Sequence, residues 1–263
     1  MTTARPSRVL VTGSSQGLGM MTAQLLAKDG HRVSLHVRSQ AQVAAARAEL
    51  PAAEHVLVAD VSTIAATRDL AHHANATGRY DAVIHNVAVG YQEPARVETA
   101  DGLELVFAVN VLAPYLLTAL IERPGRLVYL SSGLHRSGRA DLGDVQWKRR
   151  RWDGGQAYSD SKLFDVMLAF AVARHWPKVL SNALEPGWVA TRMGGPGAPD
   201  DLTLGSVTQA WLATSDDRKA TVTAGYFFHQ KPRSAHRAAR EPRLQDELLE
   251  YCQSCTGVPL PRD

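Results

Sequence analysis

Short apolar runs of strand length alternate along the chain with longer segments of helical period. The runs that predict strands are residues 9–12, 32–37, 55–59, 82–85, 127–130, 179–184 and 226–229; the helical segments include 18–28, 41–50, 64–76, 103–120 and 157–176. The strand runs are almost continuously apolar, as expected for strands that are buried on both faces. The alternation of strands and helices along the chain favours a parallel sheet with right-handed crossovers. The pattern therefore predicts an α/β fold, with a doubly wound parallel sheet of about seven strands and helices on both faces.

Two segments interrupt this alternation, and both follow predicted strands. Segment 134–156 is an insert that contains the basic stretch from Trp147 to Trp152, and segment 192–205 is rich in glycine and proline. The carboxyl edge of a parallel sheet is where such folds bind ligands, so we interpret 192–205 as a substrate loop. Because no repeat or linker divides the chain, residues 1–263 are predicted to form one domain.

Composition excludes several classes of protein. The chain has 263 residues and a formal net charge of +3, a surplus too small to indicate a nucleic-acid partner. No apolar run is long enough to span a membrane, and the first residues lack the apolar core of a signal peptide. We therefore expect a cytoplasmic protein without stable membrane insertion. Cys252 and Cys255 form at most half of a zinc site, and we interpret them as thiols on a helix face and expect no metal.

A glycine-rich turn joins the first predicted strand to the first helix. Its residues are Gly13, Ser14, Ser15, Gln16, Gly17, Leu18 and Gly19. Glycines permit a tight turn and a close approach of the backbone to a pyrophosphate. The helix that follows offers free N–H groups and the positive end of its dipole to the phosphates. The turn is therefore predicted to bind a dinucleotide.

Tyr158 and Lys162 lie four residues apart in segment 157–176, so they share one face of the predicted helix. Reduction of a carbonyl needs a proton donor for the developing alkoxide, and the reverse reaction needs a base. A free tyrosine has a pKa of about 10. A neighbouring ammonium, together with the positive nicotinamide of an oxidised cofactor, is expected to lower that pKa by about two to three units. The pair is therefore a candidate for acid–base chemistry, and an exposed tyrosine beside a surface lysine is the alternative interpretation.

These features together resemble the short-chain dehydrogenase/reductase family. The resemblance covers the whole chain and is carried by four patterns: the glycine spacing G-x-x-x-G-x-G, Ser131-Ser132 after the fifth strand, Y-x-x-x-K, and Pro186-Gly187-Trp188-Val189 with Thr191. It implies a Rossmann fold and hydride transfer between a nicotinamide dinucleotide and a carbonyl or alcohol. By the family pattern Tyr158 is the general acid–base group, and Ser132 binds the substrate oxygen, with Ser131 as the second choice. Asn110 then supports a water-linked proton path to Lys162.

The same resemblance implies further cofactor contacts. Asp60 and Val61 match the positions that contact adenine, and Asn86 matches an asparagine after the fourth strand. Ala88 replaces a glycine that normally lies against the cofactor. The nicotinamide side is formed by four residues of the P-G-x-V-x-T motif, which are Pro186, Gly187, Val189 and Thr191, and Tyr158 and Lys162 also line the cofactor.

The end of the second predicted strand indicates which dinucleotide is preferred. In the family this position is acidic when the cofactor is NAD, whereas this chain reads His36-Val37-Arg38-Ser39. A guanidinium can pair with a 2′-phosphate, and the hydroxyls of Ser14 and Ser15 can donate further hydrogen bonds to it. The sequence therefore favours NADP(H) over NAD.

The spacing between the predicted catalytic residues indicates a branch of the family. Tyr158 lies 26 positions after Ser132, and the pattern Ser-Ser-x-x-His with Lys162-Leu163 resembles the retinol-dehydrogenase-like and WW-domain-oxidoreductase-like branch. Two alternative functions belong to other classes than oxidoreductases. A non-catalytic dinucleotide sensor would not need the three catalytic side chains. A sugar-nucleotide epimerase or dehydratase usually has a larger C-terminal region.

The substrate and the assembly are predicted only in outline. A pocket formed by residues 89–94, 133–135, Trp188 and 193–204 suits a medium-sized ketone or alcohol, with an aromatic or polyketide-like compound as one option. The basic stretch is interpreted as a surface loop whose tryptophans pack at the pocket rim, with a membrane or nucleic-acid surface as the alternative. A homodimer is predicted, because the family's Y-x-x-x-K helix often packs against its symmetry mate and the apolar residues of 157–176 exceed one buried stripe. These residues include Leu163, Phe164, Met167 and Phe170.

Overall fold

Eight strands form one sheet in the computed structural model, which describes residues 5–262. The strands are Arg8–Val11 (β1), Arg32–Val37 (β2), His55–Val58 (β3), Ala82–His85 (β4), Arg126–Leu130 (β5), Leu180–Glu185 (β6), Tyr226–Phe228 (β7) and Lys231–Pro232 (β8). Their order is β3-β2-β1-β4-β5-β6-β7-β8, and the neighbours from β3 to β7 are parallel whereas β8 is antiparallel to β7. The predicted doubly wound sheet is confirmed, with one short strand more than expected.

Helices cover both faces of this sheet. Within the described residues they are Gly17–Lys28 (α1), Val43–Glu49 (α2), Ile64–Ala76 (α3), Leu105–Phe107 (α4), Ala113–Leu120 (α5), Gly154–His175 (α6), Val207–Thr214 (α7) and Pro242–Thr256 (α8). Side chains of α3, α5, α6 and α8 share one hydrophobic core, and side chains of α1, α2 and α7 share the other. The strands between them are apolar on both faces for this reason. The description of 1–263 as one domain stays a prediction, since residues 1–4 and 263 lie outside the described part.

The strand order reverses between β1 and β4. After β3 at one edge, the chain returns to the middle of the sheet and continues in the opposite direction from β4. The loops that follow β1 and β4 therefore diverge above the carboxyl ends of their strands, which leaves the crevice where open α/β sheets bind ligands. The glycine loop and Asn86 both lie at this point.

The helix predicted over 103–120 is interrupted. α4 and α5 are separated by a π-helical turn, Ala108–Leu112, that contains Asn110. Pro114 has no N–H with which to donate the i+4 hydrogen bond to the carbonyl of Asn110, so a regular α-helix cannot be completed there. Single π turns of this kind are frequent at functional sites.

α6 is longer than predicted and is covered by the chain itself. It begins at Gly154 because the side chain of Asp153 accepts a hydrogen bond from the Gln156 N–H at 3.0 Å. The four apolar residues on which the homodimer was based, Leu163, Phe164, Met167 and Phe170, are at most 3% exposed. They are buried in the core to which α8 contributes. The apolar residues of α6 are thus buried within the chain itself and do not need a second copy to cover them. The homodimer stays a prediction that rests on the family resemblance.

Candidate active site

The glycine loop follows β1 at the carboxyl edge of the sheet. Gly17 has a φ of +58°, and no heavy atom lies within 4 Å of the position that a Cβ would take. Gly19 is tightly packed instead, since a Cβ there would lie 2.5 Å from Nδ2 of Asn86. That nitrogen donates to the carbonyls of Thr12 and Gly13 at 2.9 and 3.0 Å, which ties the loop to β4. The loop therefore leaves room for a ligand at the N-terminus of α1 and is held in place from the opposite side.

A buried histidine supports the glycine loop, and the sequence analysis missed it. Nδ1 of His36 accepts a hydrogen bond from the Gly13 N–H at 3.1 Å, and Nε2 donates to the carbonyl of Ala59 at 3.0 Å. Burial lowers the pKa of His36 to about 4, so the ring is neutral at pH 7. The ring thereby joins the loop to the residue that follows β3. Its only signal in the sequence is a polar residue inside an apolar strand.

Arg38 and Ser15 share one corner beside the glycine loop. Arg38 is exposed directly after β2, and its guanidinium makes no ion pair or hydrogen bond with another described residue. The Gln42 side chain accepts from the backbone N–H of Arg38 at 2.9 Å and donates to Oγ of Ser15 at 3.4 Å. The Ser14 hydroxyl is fully buried and donates to the carbonyl of Val11 at 2.8 Å. The prediction that Ser14 donates to a 2′-phosphate is therefore wrong, because its hydroxyl is bonded inside the loop.

The predicted catalytic pair is brought together on α6. The Tyr158 and Lys162 residues are 7% and 2% exposed, and Nζ of Lys162 lies 5.6 Å from the centre of the tyrosine ring. Nζ donates to the carbonyl of Leu130, the last residue of β5, at 2.8 Å and to the carboxylate of Asp165 at 2.7 Å. Asp165 was not identified from the sequence. Its signal was present, since it is a lone carboxylate in the apolar segment 163–173 and lies three residues after Lys162.

The pKa of Tyr158 departs from the expectation. Burial raises this pKa most strongly; the Lys162 ammonium lowers it, and the Asp165 carboxylate raises it again. The net result is a pKa above the usual value of about 10, so the phenol is protonated at neutral pH. The expected lowering by Lys162 exists, but burial and Asp165 outweigh it. Tyr158 is therefore protonated and can donate a proton.

The two serines after β5 have different surroundings. Ser131 is buried and its hydroxyl donates to the carbonyl of Lys162 at 2.7 Å, which ties β5 to α6. The Ser132 hydroxyl is near enough to the phenol of Tyr158 to lower the pKa of the phenol, although burial raises that pKa more strongly. This placement agrees with Ser132, rather than Ser131, as the residue beside the substrate oxygen.

His135 lies beneath Ser132 rather than in a pocket wall. It is fully buried; Nδ1 donates to the carbonyl of Ser132 at 2.7 Å, and Nε2 accepts from the His236 N–H at 3.2 Å. Burial lowers its pKa to about 4, so the ring is neutral. The hydroxyl of Tyr226 on β7 is 3.1 Å from Nδ1. His135 therefore supports the backbone of Ser132, and its inclusion in the predicted pocket was wrong.

Asn110 connects the loop after β4 to α6. Its side chain accepts from the Val89 N–H at 2.9 Å and donates to the Val89 carbonyl at 3.1 Å. It also donates to the hydroxyl of Ser161 at 3.0 Å. An asparagine in a helix interior is unfavourable, and these three bonds account for it. The water-linked path from Asn110 to Lys162 stays a prediction.

The segment after β6 folds the substrate loop back over the site. The Trp188 N–H donates to the Asp200 carboxylate at 2.6 Å, and Oγ1 of Thr191 accepts from the Gly194 N–H at 3.2 Å. Between these positions, Sδ of Met193 accepts a hydrogen bond from the Tyr158 hydroxyl at 3.9 Å. The thioether thus contacts the hydroxyl of the phenol.

Aromatic side chains complete the rim of the site. The ring of Tyr91 packs edge-on against Tyr158 with 5.7 Å between centroids. In the insert, Trp147 is buried, the Arg150 guanidinium lies 3.5 Å above its ring, and Nε1 of Trp152 donates to the carbonyl of Glu93 at 2.9 Å. This packing agrees with the interpretation of the basic stretch as a surface loop whose tryptophans lie at the rim.

The remaining predicted cofactor residues also lie at or near the carboxyl edge. Asp60 is exposed just after β3, where its carboxylate accepts from the Ser62 N–H at 3.1 Å, and Val61 is buried. Ala88 is absent from the residues with positive φ, so the replacement of a glycine causes no backbone strain. Pro186 and Gly187 follow β6, and Val189 is buried.

The described residues show neither a membrane span nor a metal cluster. Across 5–262, no helix is both long and apolar enough to cross a bilayer. No three His, Cys, Asp or Glu side chains of this part of the chain are arranged to hold a metal ion. Cys252 and Cys255 are free thiols on α8, and burial raises the pKa of both.

Comparisons with known proteins extend over nearly the whole chain. The family model described as short chain dehydrogenase matches residues 7–201. An uncharacterized oxidoreductase of Emericella nidulans is 41% identical over 97% of this chain and 98% of its own length. A Streptomyces protein named as a candidate daunorubicin C-13 ketoreductase is 31% identical over 95% of this chain and 92% of its own. The crystal structure of an uncharacterized Mycobacterium paratuberculosis protein superposes with a TM-score of 0.82 and 26% identity, covering 98% of this chain and 96% of that one.

Proposed function

Since this chain belongs to the short-chain dehydrogenase/reductase family and is an oxidoreductase, we propose that it is an NADP(H)-dependent ketoreductase or alcohol dehydrogenase with Tyr158 as the general acid–base group. The observation that carries this proposal is the buried pair of Tyr158 and Lys162, with Ser132 near the phenol, at the carboxyl edge of the sheet. The relative named as a ketoreductase supports a carbonyl substrate.

The residues of the chain have separate tasks in this reaction. When bound, the cofactor supplies a hydride to the carbonyl carbon or accepts one from the alcohol. Tyr158 donates its hydroxyl proton to the substrate oxygen, and Ser132 orients that oxygen by a hydrogen bond. Lys162 places its positive charge beside the phenolate that remains. Because Met193 accepts the Tyr158 hydrogen bond, its thioether must move aside when a substrate oxygen takes that place.

The glycine loop fits a nicotinamide dinucleotide. Gly17 leaves open space beside the N-terminus of α1, where free N–H groups and the helix dipole favour a pyrophosphate. Family membership supports binding of such a dinucleotide. The preference for NADP(H) rests on the exposed Arg38 guanidinium, which is available for a 2′-phosphate.

The experiment that tests this function is a search for turnover with a panel of carbonyl compounds. The side chains over Tyr158 are aromatic or thioether groups, so the panel is weighted toward medium-sized ketones with an aromatic or polyketide-like body. Loss of NADPH absorbance is the readout, and Tyr158→Phe is the control. We expect turnover with at least one ketone that the control lacks; equal rates for both proteins would contradict the proposal.

Replacing Arg38 with aspartate is expected to reverse or abolish the preference for NADPH. The change removes a charge-assisted hydrogen bond to the 2′-phosphate and adds repulsion, together worth about 3 kcal/mol or a 100-fold weaker affinity. Isothermal titration with NADPH and NADH measures the ratio of affinities. Arg47→Asp, with the same change of charge on α2, is the control and should keep the preference. Equal affinities of the unmodified protein for both cofactors would refute the assignment.

A further inference from the structure

Asp165 is the third member of a row of side chains on α6. Tyr158, Lys162 and Asp165 occupy positions i, i+4 and i+7, which lie on one face of a helix. The Lys162 and Asp165 side chains are 3% and 4% exposed and form an ion pair of 2.7 Å, and Tyr158 is equally buried at 7%. The ammonium therefore lies between a phenol and a carboxylate, and both compete for its charge.

We propose that Asp165 is a positioning residue that neutralises Lys162 and keeps Tyr158 protonated, so that carbonyl reduction proceeds at neutral pH whereas alcohol oxidation requires alkaline pH. An ammonium without a counter-charge stabilises a neighbouring phenolate. The Lys162–Asp165 pair has no net charge, so ionisation of Tyr158 would leave a net negative charge in a buried site, which is unfavourable. This inference rests on the proposed function, in which Tyr158 is the acid–base group.

The pair is charged at neutral pH. Burial opposes the charged form of Lys162, but attraction to Asp165 and Tyr158 leaves its pKa raised. Burial raises the pKa of Asp165 to about 6 in spite of the ammonium, so the carboxylate is ionised at pH 7. Lys162 lowers the pKa of Tyr158 and Asp165 raises it, as expected for an ammonium that lies between the phenol and the carboxylate.

The other titratable side chains around Tyr158 are neutral at pH 7 or already ion-paired. Burial keeps the neighbouring side chains of β4, β5 and β7 neutral at pH 7; these are His85, Tyr129 and Tyr226. Tyr91, which packs on the ring, is a phenol. Glu185 at the end of β6 is ion-paired with Arg136 at 3.2 Å. Lys162 and Asp165 are therefore the charged groups on which the state of Tyr158 depends.

The proton balance explains why reduction and oxidation differ in their pH dependence. In reduction, the hydride adds to the carbonyl carbon and the Tyr158 proton goes to the oxygen. The phenolate that remains faces an ammonium already neutralised by Asp165, so it is strongly basic and regains a proton from water. In oxidation, the phenolate must exist before it can take the alcohol proton, which then requires alkaline pH.

The ion pair does not prevent Lys162 from binding a cofactor. An ammonium has three N–H donors, and two of them bind Leu130 and Asp165. The third remains for a ligand hydroxyl. A change at Asp165 should therefore alter the pH profile more than the affinity for the dinucleotide.

The test is Asp165→Asn, with Asp160→Asn as the matched control. Asp160 is also buried on α6, but it binds Arg150 and Gln156 instead of Lys162. We expect Asp165→Asn to lower the pH at which Tyr158 ionises by about one to two units, measured as the ultraviolet tyrosinate difference against the same protein with Tyr158→Phe. The pH profile of kcat for alcohol oxidation should shift equally, and the control should leave both unchanged.

An unchanged titration in Asp165→Asn, or the same shift in Asp160→Asn, would overturn the inference. Should Asp165→Asn fail to fold, Asp165→Ser, which also removes the carboxylate, takes its place, and the same lowering of the pH at which Tyr158 ionises is expected. Full turnover by Tyr158→Phe would refute the proposed function alone, because the spectroscopic titration reports the coupling of Tyr158 and Asp165 without any substrate.

Discussion

Tyr158→Phe is expected to reduce turnover by about 10²–10⁴-fold, the usual contribution of one acid–base group, while NADPH affinity is retained. The ring and its packing against Tyr91 and Met193 remain, and only the transferable proton is lost. Single-turnover rates with one reducible ketone measure the chemical step, and isothermal titration measures cofactor binding. Tyr91→Phe is the matched control, since it removes a phenol from the same rim and should leave the chemical step nearly unchanged.

Two further variants distinguish the roles of the neighbouring residues. Ser132→Ala should reduce turnover less than Tyr158→Phe if the serine only orients the substrate oxygen. Lys162→Met should lose activity and also weaken cofactor binding. It removes the third N–H of the ammonium, which is available to a ligand hydroxyl, and it leaves the Asp165 carboxylate buried without its cation. Near-normal turnover of Tyr158→Phe would show that the proton comes from another group.

The free energy of unfolding is expected to fall steeply between pH 7 and pH 5 because three buried histidines resist protonation. Burial lowers the pKa of His36 and His135 to about 4 and that of His85 to about 3, whereas the unfolded chain has a value of about 6.5. Below pH 6.5 the unfolded state binds protons that the folded state does not, so stability decreases with pH. At pH 5 each histidine contributes a loss of about 2 kcal/mol.

Asp165 acts in the opposite direction over the same range. Its folded pKa of about 6 lies above the usual value of 3.8, so the folded state binds its proton first and gains about 1 kcal/mol at pH 5. The net loss is then about 5 kcal/mol, which corresponds to a decrease of at least about 10 °C in Tm for a chain of this size. Thermal unfolding at pH 7, 6 and 5 measures it.

His85→Phe isolates one of the three contributions. The ring of His85 packs 4.7 Å from that of Tyr129, and Nδ1 has no hydrogen-bond partner among the described residues. Phenylalanine retains the packing and cannot titrate, so the loss between pH 7 and pH 5 should shrink by about 2 kcal/mol. His72→Gln, at an exposed position of α3, should leave the pH dependence unchanged. A flat stability between pH 7 and pH 5 in the unmodified protein would contradict the assignment of neutral histidines.

Local periodicity was enough to predict the architecture and much of the site. Three features depend only on backbone geometry within a few residues, which is the same in every doubly wound α/β fold. They are the continuous apolar strands, the turn at Gly13 to Gly19, and the spacing of Tyr158 and Lys162. Arg38 was identified instead through the family resemblance, which marks the end of the second strand as the position that selects the dinucleotide. These features survive in the structure with small changes in bounds, such as the start of α6 at Gly154 instead of Ala157.

Only the tertiary structure decided what each polar side chain contacts and how strongly it is buried. Ser14 and His36 are bonded beneath the glycine loop, so one predicted phosphate contact is absent and one unpredicted support exists. The apolar face of α6 is covered within the same chain. The sequence alone determined that Tyr158, Lys162 and Asp165 share a helix face. Whether the phenol is an acid or a base depended on burial by distant segments, because the cost of a charge is set by everything packed around it.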